Sequence, residues 1–290
     1  MSRMPKVLAA MDTPLTDDGE QLAPERVAPL VEFLSARGVE GFFIAGSTGL
    51  GPLLSLQEWR LLVEAVLAAG RGFLVLCNVS APTTRETCER IEFAAAQGAH
   101  GVVVATPAAY RYERRAVLEH FKDALRAASP APVYLYRKLG DPWGPDELDA
   151  LAAEFGNLKG VKDSATQMAE HLQLIRTPGL DVYQGYEALI ASSVQAGGAG
   201  PVSGLATVLP EIVVEVTRAA AAGDRDVWAA QDRLTRVRAL VCGTNPYAAF
   251  KALLKERGVP VGIPRRPFLP LGREEIAAMI AGLRSYGVEL

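Results

Sequence analysis

The stretch GNLKGVKDSA, residues Gly156–Ala165, contains a short apolar strand that ends on a lysine. The predicted strand covers Leu158–Lys162 and is followed by a polar turn. Side chains along a strand point alternately to its two faces, so Lys159 and Lys162 lie on opposite sides. We expect Lys159 to point to solvent and Lys162 to end a buried strand.

Short β-branched runs of this kind recur along the chain and alternate with amphipathic segments of helical period. The predicted strands are Val7–Met11, Gly41–Ala45, Phe73–Val79, Gly101–Ala105, Val133–Tyr136, Leu158–Lys162, Asp181–Gln184 and Gly200–Ser203. The helical segments between them include Pro24–Ala36, Leu56–Ala69, Thr84–Ala96 and Arg114–Ala128. Strand–helix alternation repeated eight times predicts an α/β fold with parallel strands, right-handed crossovers and a closed (β/α)8 TIM barrel.

The eighth predicted strand is followed by helical patterns alone. They are Pro210–Ala222, Asp226–Val241, Pro246–Arg257 and Arg273–Tyr286. We expect residues 1–222 to form the barrel and residues 223–290 to form a helical C-terminal appendage packed on it as part of a single structural unit. A doubly wound open sheet is the alternative, but its usual Gly-rich phosphate motif does not follow the first strand.

Composition and charge argue against several classes of function. The chain of 290 residues has a net charge of −3 and scattered basic residues, which indicates no nucleic-acid partner. The three cysteines have neither metal-ligand spacing nor an even pairing, as is typical of a reducing cytoplasm, and the three histidines are far apart. We therefore expect no metal. We also expect a cytoplasmic protein without a membrane partner, because neither a signal peptide nor a membrane-length apolar run is evident.

The lysine at the end of the sixth strand is a candidate nucleophile. In barrels of this type, chemistry takes place where the strands end, at the C-terminal face. Low dielectric there would lower the pKa of the Lys162 amine, and a neutral amine can form a Schiff base with a carbonyl. The alternative is a lysine that reaches solvent or pairs with Asp163 or Glu187, and position alone favours neither.

Two further strand ends carry groups suited to the same chemistry. The second strand is followed by the turn Gly46–Gly49, whose N–H groups can hold a carboxylate and whose Ser47 can pass a proton. The fifth strand ends at Tyr136, a phenol that can relay protons, although most tyrosines in such positions are core residues. Together with Lys162, these groups would convert a 2-oxo acid into an enamine.

Seven segments along the chain carry motifs of a known superfamily. They are TPLTDDG (Thr13–Gly19), GSTGLGPLLSLQEW (Gly46–Trp59), VVVATPAAY (Val102–Tyr110), PVYLY (Pro132–Tyr136), GVKDS (Gly160–Ser164), AGGAGPVSG (Ala196–Gly204) and GIPRRPFLPL (Gly262–Leu271). Through these segments the chain resembles the dihydrodipicolinate synthase / N-acetylneuraminate lyase superfamily of class I pyruvate aldolases. The segments are spread over essentially the whole chain.

The resemblance implies a barrel with C-terminal helices, a homotetramer built as a dimer of dimers, and no metal or organic cofactor. It implies that Lys162 forms the Schiff base with pyruvate and that Tyr136 is the acid–base phenol. Ser47 and Thr48 would hold the pyruvate carboxylate within the Gly46–Gly49 turn, with Ser47 also passing protons. Val202, after the eighth strand, would line the same pocket.

Within the superfamily the chain looks most similar to 2-keto-3-deoxygluconate aldolases of the archaeal type. Leu50-Gly51-Pro52 follows the Gly-x-Thr-Gly turn, where dihydrodipicolinate synthases and neuraminate lyases usually carry Glu. Such enzymes split 2-keto-3-deoxygluconate into pyruvate and glyceraldehyde, or run the reverse condensation.

The aldehyde half of the site departs from the superfamily pattern. The loop after Tyr136, which usually contacts substrate, is rewritten as Arg137–Gly144, and an acid, Asp141, lies near the position of the arginine of dihydrodipicolinate synthases. The paired tyrosines after the fourth strand are replaced by alanines. Tyr110 is shifted by one position and is a candidate substrate-binding substitute. The alanines that stand in place of the two tyrosines are Ala108 and Ala109.

Three kinds of function therefore compete. The first is a carbon–carbon lyase acting on a 2-keto-3-deoxy sugar acid, with a dihydrodipicolinate synthase-like or dehydratase activity on the same imine as a variant. The second is a catalytically silent barrel that binds a 2-oxo acid; the joint presence of Lys162, Tyr136 and the Gly46–Gly49 turn argues against it. The third is a phosphate-binding barrel that uses GAGPVSG with Arg265 and Arg266, although we expect these arginines at a solvated surface.

Overall fold

Eight parallel strands close into a barrel in which each strand pairs with its neighbours in the sequence and β8 pairs with β1. We describe residues 4–243 and 245–290 from a computed structural model. The strands are β1 Leu8–Ala10, β2 Gly41–Ile44, β3 Leu74–Asn78, β4 Gly101–Ala105, β5 Val133–Arg137, β6 Leu158–Asp163, β7 Asp181–Gln184 and β8 Gly200–Ser203. The predicted (β/α)8 barrel is confirmed, and each observed strand overlaps its predicted segment.

Helices separate the strands and surround the barrel. They are α1 Val27–Ser35, α2 Leu56–Ala69, α3 Thr84–Ala96, α4 Arg114–Ala128, α5 Pro145–Glu154, α6 Met168–Arg176, α7 Ile190–Gln195 and α8 Pro210–Ala222, followed by α9 Val227–Cys242, α10 Pro246–Glu256 and α11 Arg273–Ser285. The predicted helix Pro24–Ala36 consists of a 3-10 turn, Pro24–Arg26, followed directly by α1. Among the described residues, no helix is long and apolar enough to cross a membrane.

The strands bury side chains on both of their faces. Inside the barrel, the inward residues form one apolar cluster, which includes Leu8, Phe43, Leu76, Val103, Tyr134 and Tyr183. The residues that alternate with them, such as Phe42 and Val102, pack against the surrounding helices in a second and larger cluster. This alternation decides which strand-end residues can enter the barrel and which must face the helices.

A buried ion pair fastens α10 to the end of β1. Lys251 donates from Nζ to Asp12 Oδ2 over 2.8 Å and to the carbonyls of Thr13 and Val261 over 2.8 and 3.1 Å. Burial raises the pKa of the Asp12 carboxyl, and the attraction of Lys251 offsets part of that effect. The C-terminal helices are thereby held beside the end of the barrel where the strands terminate. The division into a barrel and an appendage after residue 222 stays a prediction.

Arg265 is not the solvated residue that the sequence suggested. Its guanidinium donates to both carboxylate oxygens of Glu58 on α2, at 2.9 and 2.5 Å, and to the carbonyls of Gly19, Glu20 and Leu53. Because these contacts occupy the guanidinium, Arg265 anchors the C-terminal tail and does not supply charge for binding phosphate.

Candidate active site

Lys162 lies near the end of β6 with its side chain inside the barrel. The residue is only 7% exposed, and Nζ lies 4.0 Å from the ring centroid of Phe43 and 4.3 Å from that of Tyr136. Burial lowers the pKa of the Lys162 amine, because desolvation of the ammonium outweighs the opposing attraction of Tyr136 and Glu187. The amine is therefore shifted toward its neutral, nucleophilic form.

Two glycines leave the space that this arrangement requires. A Cβ at Gly46 would lie 2.2 Å from the Phe43 ring, the ring on which Lys162 packs. A Cβ at Gly185, after β7, would lie 2.0 Å from Ser164 Oγ and 3.2 Å from Lys162 Cε. Gly46 was selected from the sequence as part of a turn, whereas Gly185 has no local signal because its role depends on a neighbouring strand.

Tyr136 faces Lys162 directly across the β5–β6 pairing. Burial alone would raise the pKa of the phenol, but the Lys162 charge and a hydrogen bond with Ser164 outweigh it, so the pKa of Tyr136 is lowered. The phenol and the amine are close enough to influence each other's protonation. Tyr136 is thus placed to give a proton to, or accept one from, a molecule attached to Lys162.

The turn after β2 has an unusual backbone. Ala45 and Leu50 adopt left-handed conformations, with φ of 55° and 54°, which residues other than glycine rarely adopt. A Cβ at Gly51 would lie 1.8 Å from the Ala45 carbonyl oxygen, so only glycine fits where the turn folds back. Strained backbone of this kind persists where the surrounding structure holds it, and it is common at functional sites.

The same turn presents two hydroxyl groups to the barrel mouth. A Cβ at Gly49 would lie 2.6 Å from the Met11 carbonyl oxygen, so Gly49 allows the turn to pack on the end of β1. Ser47 and Thr48, between the two glycines, line the cavity that contains Lys162. Gly46 and Gly49 therefore shape the turn, while Ser47 and Thr48 place hydroxyl groups in the wall of the cavity that contains Lys162.

These side chains surround one cavity of about 240 Å³, which we call the lysine pocket. Its wall includes Ser47, Thr48, Tyr136, Lys162, Glu187 and Val202. The structure thus brings together groups that the sequence places at or near the ends of the second, fifth, sixth and eighth strands. Val202 contributes a buried apolar wall from β8.

Glu187 and Arg238 are pocket residues that the sequence did not identify in these roles. The Glu187 carboxylate accepts hydrogen bonds from Ser203 Oγ (3.0 Å), Leu205 N (3.3 Å) and Arg238 Nε (3.0 Å). It therefore serves to hold Arg238, which arrives from α9, and is not simply a counter-ion for Lys162. Cys242 lies beside them, and burial raises the pKa of its thiol to about 12, so it stays protonated.

Arg137 belongs to a buried network on the outer face of the strands. Its Nη1 donates to Asp163 Oδ1 over 3.3 Å, and its Nη2 pairs with Glu170 on α6. The other Asp163 oxygen lies 2.8 Å from His171 Nδ1, and His171 Nε2 lies 2.8 Å from Ser193 Oγ. The prediction that the loop after the fifth strand begins at Arg137 is therefore wrong: β5 continues through Arg137, whose side chain alternates with Tyr136 and faces the helices.

A second cavity, of about 160 Å³, adjoins the lysine pocket and shares Ser47 and Tyr136 with it. This side cavity is lined by Ser47, Asn78, Ser80, Thr106, Tyr136 and Lys138, among others. Asn78 donates to the Ala45 carbonyl over 2.9 Å and accepts from Ser80 Oγ over 2.8 Å, which fixes this wall to the turn after β2. A molecule attached to Lys162 could extend into the side cavity past Tyr136.

The residues after β4 do not all reach the site. Ala108 and Ala109 line the side cavity and leave it wider than tyrosines would. Tyr110 is 76% exposed and packs edge-on against Tyr112 at 6.2 Å between ring centroids. It lines neither cavity of this chain, so its assignment as a substrate-binding residue stays a prediction that would require a neighbouring subunit.

Metal ligation has no obvious place in the described parts of the chain. Between residues 4 and 243 and from 245 onward, no three His, Cys, Asp or Glu side chains are grouped as a metal site. The two cavities offer an amine, a phenol, hydroxyl groups and a guanidinium. These groups suit covalent capture of a carbonyl compound and proton transfer.

Comparison with known proteins agrees with this chemistry. The model of the dihydrodipicolinate synthetase family matches residues 3–285. A DapA-like lyase of Halobacterium salinarum is 36% identical, with 98% of this chain and 93% of the relative covered. A 4-hydroxy-tetrahydrodipicolinate synthase of Mycolicibacterium paratuberculosis is 31% identical, with 99% and 96% covered. A 2-dehydro-3-deoxy-D-gluconate/2-dehydro-3-deoxy-phosphogluconate aldolase of Thermoproteus tenax is 34% identical, with 91% and 87% covered.

Solved structures show the same architecture. The crystal structure of KD(P)GA from T. tenax superposes with a TM-score of 0.88 at 31% identity, covering 97% of this chain and 99% of that one. The likeness therefore includes the barrel and the C-terminal helices.

Proposed function

The chain belongs to the dihydrodipicolinate synthetase family, whose members are pyruvate-dependent class I lyases, and we propose that Lys162 is the residue that forms the Schiff base with pyruvate. The observation that supports this most strongly is a buried amine of lowered pKa, packed between two aromatic rings at a strand end. Each remaining pocket group then has a use in the same reaction.

The covalent sequence begins at the neutral amine. Nζ of Lys162 attacks the keto carbon of pyruvate, and loss of water from the carbinolamine leaves a protonated imine. Loss of a proton from C3 gives a neutral enamine, whose C3 attacks the carbon of an aldehyde. Hydrolysis of the resulting imine releases the 2-keto acid and regenerates the amine. Cleavage follows the same steps in reverse.

The proton transfers and the carboxylate need separate partners. Tyr136, next to Lys162, would protonate the carbinolamine oxygen and accept the proton again, with Ser164 and Ser47 as hydroxyl neighbours. The Gly46–Gly49 turn would hold the pyruvate carboxylate through its N–H groups and the hydroxyls of Ser47 and Thr48. Val202 would form the apolar wall opposite.

For the acceptor we propose the aldehyde half of a 2-keto-3-deoxy sugar acid such as 2-keto-3-deoxygluconate. The T. tenax aldolase among the relatives acts on such compounds by its name, and Leu50-Gly51-Pro52 is the sequence pattern expected of that branch. The side cavity provides room and hydroxyl-bearing side chains, including Thr106, directly beyond Tyr136.

A dihydrodipicolinate synthase-like activity is the second candidate, and Lys138 is the observation that favours it. This lysine lines the side cavity and could hold an acceptor that carries a carboxylate. Asp141 works against the idea, because an acid lies near the position where those enzymes use an arginine. A dehydratase on the same imine needs no acceptor and would use Lys162 and Tyr136 alone.

We also propose that the protein assembles as a homotetramer in the cytoplasm. Tyr110 is 76% exposed and packs edge-on against the partly buried Tyr112, so its ring offers a surface that a second copy would cover. Light scattering of the purified protein tests the assembly: a tetramer supports it, and a monomer at micromolar concentration contradicts it.

A condensation assay tests the proposed reaction. The protein is incubated with pyruvate and one of three aldehydes: glyceraldehyde, glyceraldehyde 3-phosphate or aspartate semialdehyde. Products are identified by mass spectrometry, with Lys162→Ala as the control. We expect condensation with glyceraldehyde or its phosphate, and none in the control. Exclusive use of aspartate semialdehyde would favour the second candidate. Pyruvate binding without any condensation would favour a silent binding protein.

A further inference from the structure

A second lysine approaches the ring that separates the two cavities. Lys138 Nζ lies 5.0 Å from the ring centroid of Tyr136, and Lys162 Nζ lies 4.3 Å from the same centroid. We propose that Lys138 is a positioning residue whose ammonium charge adds to the effect of burial in keeping the Lys162 amine neutral and thereby reactive. The inference rests on the Schiff-base role proposed for Lys162.

The charge of Lys138 has no close counter-ion in the part of the chain that the structure describes. Its backbone N–H donates to Asp141 Oδ2 over 2.8 Å, but its ammonium makes no ion pair with a described carboxylate. Burial raises the pKa of the Asp141 carboxyl, and the charge of Lys138 opposes that effect, so the two groups attract each other. The adjacent Arg137 is turned away toward Asp163. Lys138 is therefore a cation that Asp141 attracts without forming an ion pair with it among the described residues.

The other charged groups facing Lys162 are largely satisfied elsewhere. Glu187, from the segment after β7, is bound by Arg238 of α9 and by Ser203, which limits its attraction for an ammonium at Lys162. Cys242 is a protonated thiol. Tyr136, from β5, attracts an ammonium at Lys162, as Glu187 does, and both attractions oppose the effect of Lys138. Lys138, on the Tyr136 side of the pocket, repels an ammonium at Lys162.

Repulsion between two cations raises the free energy of the charged lysine and leaves the neutral amine unaffected. A nearby cation is therefore a known way to lower the pKa of a nucleophilic lysine, alongside desolvation. Lys138 contributes in this direction to the lowered pKa of Lys162. The same repulsion acts on the protonated imine and favours its loss of a C3 proton to give the neutral enamine.

The test is the pH profile of imine formation. The protein is mixed with pyruvate well below saturation in the presence of cyanoborohydride, and the reduced adduct is followed by intact mass, so that the rate reflects the free amine. Lys138→Met and Lys138→Gln remove the charge, and Lys138→Arg retains it. Lys159→Met is the matched control, since Lys159 lies on the same strand as Lys162 and is exposed.

We expect both uncharged variants to move the rising limb of the profile to higher pH by about half to one unit, which slows the reaction about three- to tenfold below that limb. Lys138→Arg and Lys159→Met should keep the wild-type limb. An unshifted limb in Lys138→Met and Lys138→Gln, or an equal shift in Lys138→Arg, overturns the role of the charge. Failure of the wild-type protein to form any adduct would instead refute the Schiff base itself.

Discussion

Lys162 and Asp163 are adjacent residues at the end of β6, and they point to opposite faces of the barrel wall. Lys162 enters the lysine pocket between two rings, whereas Asp163 is fully buried against the helices, where it accepts from Arg137 and lies 2.8 Å from His171. The ionic network thus fixes the strand end without placing a carboxylate beside the amine. This separation allows the strand end to be held firmly while the lysine stays desolvated.

Tyr136→Phe should slow turnover by about 10²- to 10⁴-fold, because it removes the proton relay and leaves the amine in place. Imine formation with pyruvate should persist at a reduced rate. Steady-state kinetics together with adduct trapping distinguish the two effects. Wild-type turnover in Tyr136→Phe would exclude the phenol from proton transfer.

Gly185→Ala should reduce activity by at least about tenfold, because the new Cβ would overlap Ser164 Oγ and press on Lys162 Cε. Gly156→Ala is the matched control, since a Cβ at Gly156 meets no atom within 4 Å. Kinetics and thermal unfolding of both variants are compared. Equal activity in the two variants would contradict the close packing described around the lysine.

Arg137→Met should lower the free energy of unfolding by about 2–3 kcal/mol, because it leaves the buried Asp163 carboxylate with only part of its network. Arg236→Met, which removes an exposed pair with Asp232, should leave the free energy of unfolding close to the wild-type value. Urea unfolding measures both. If Arg137 instead contacted substrate, its replacement would raise KM and leave stability unchanged.

Glu58 should make the stability of the protein depend on pH in the acid range. Burial alone would raise the pKa of this carboxyl, but hydrogen bonds from Arg265 and Ser55 outweigh it and lower the pKa from 4.5 to about 2. The pKa of Glu58 is lower in the folded than in the unfolded state. Its contribution to the free energy of unfolding is therefore complete above pH 4.5 and is lost as the pH falls toward about 2.

Glu58→Gln should therefore be less stable than wild type at about pH 7, and the difference should shrink at about pH 3. Glu64→Gln, an exposed position on the same helix, should follow the wild-type curve. Urea midpoints at the two pH values provide the measurement. A difference that is constant between them would contradict the lowered pKa of Glu58 as a source of stability.

The barrel could be predicted because each of its parts has a local signal. Strand–helix alternation repeats eight times, and the period of two along Leu158–Lys162 separates the outward Lys159 from the inward Lys162. The same rule applied to β5 would have kept Arg137 in the strand, on the face opposite Tyr136, and the predicted strand end at Tyr136 was wrong by one residue. That error arose because the segment was interpreted as a loop, although the strand continues for one more residue.

Other parts of the site depend on contacts between distant segments and have no such signal. Glu187 and Arg238 are hydrogen-bonded although they are 51 residues apart in the sequence, and Arg265 and Glu58 are hydrogen-bonded although they are 207 residues apart. Gly185 matters because of side chains on the neighbouring strand. Pairings of this kind follow from the closed fold and cannot be seen in local periodicity, so the sequence favoured a solvated Arg265 and missed Arg238.

The most direct test of the account is borohydride trapping with pyruvate, followed by intact mass and peptide mapping, on wild type and Lys162→Ala. The account predicts a reduced pyruvate adduct on Lys162 in the wild-type protein and none in the variant, which should keep its fold. An adduct on another lysine, or pyruvate binding by calorimetry without any adduct, would contradict Schiff-base chemistry at Lys162.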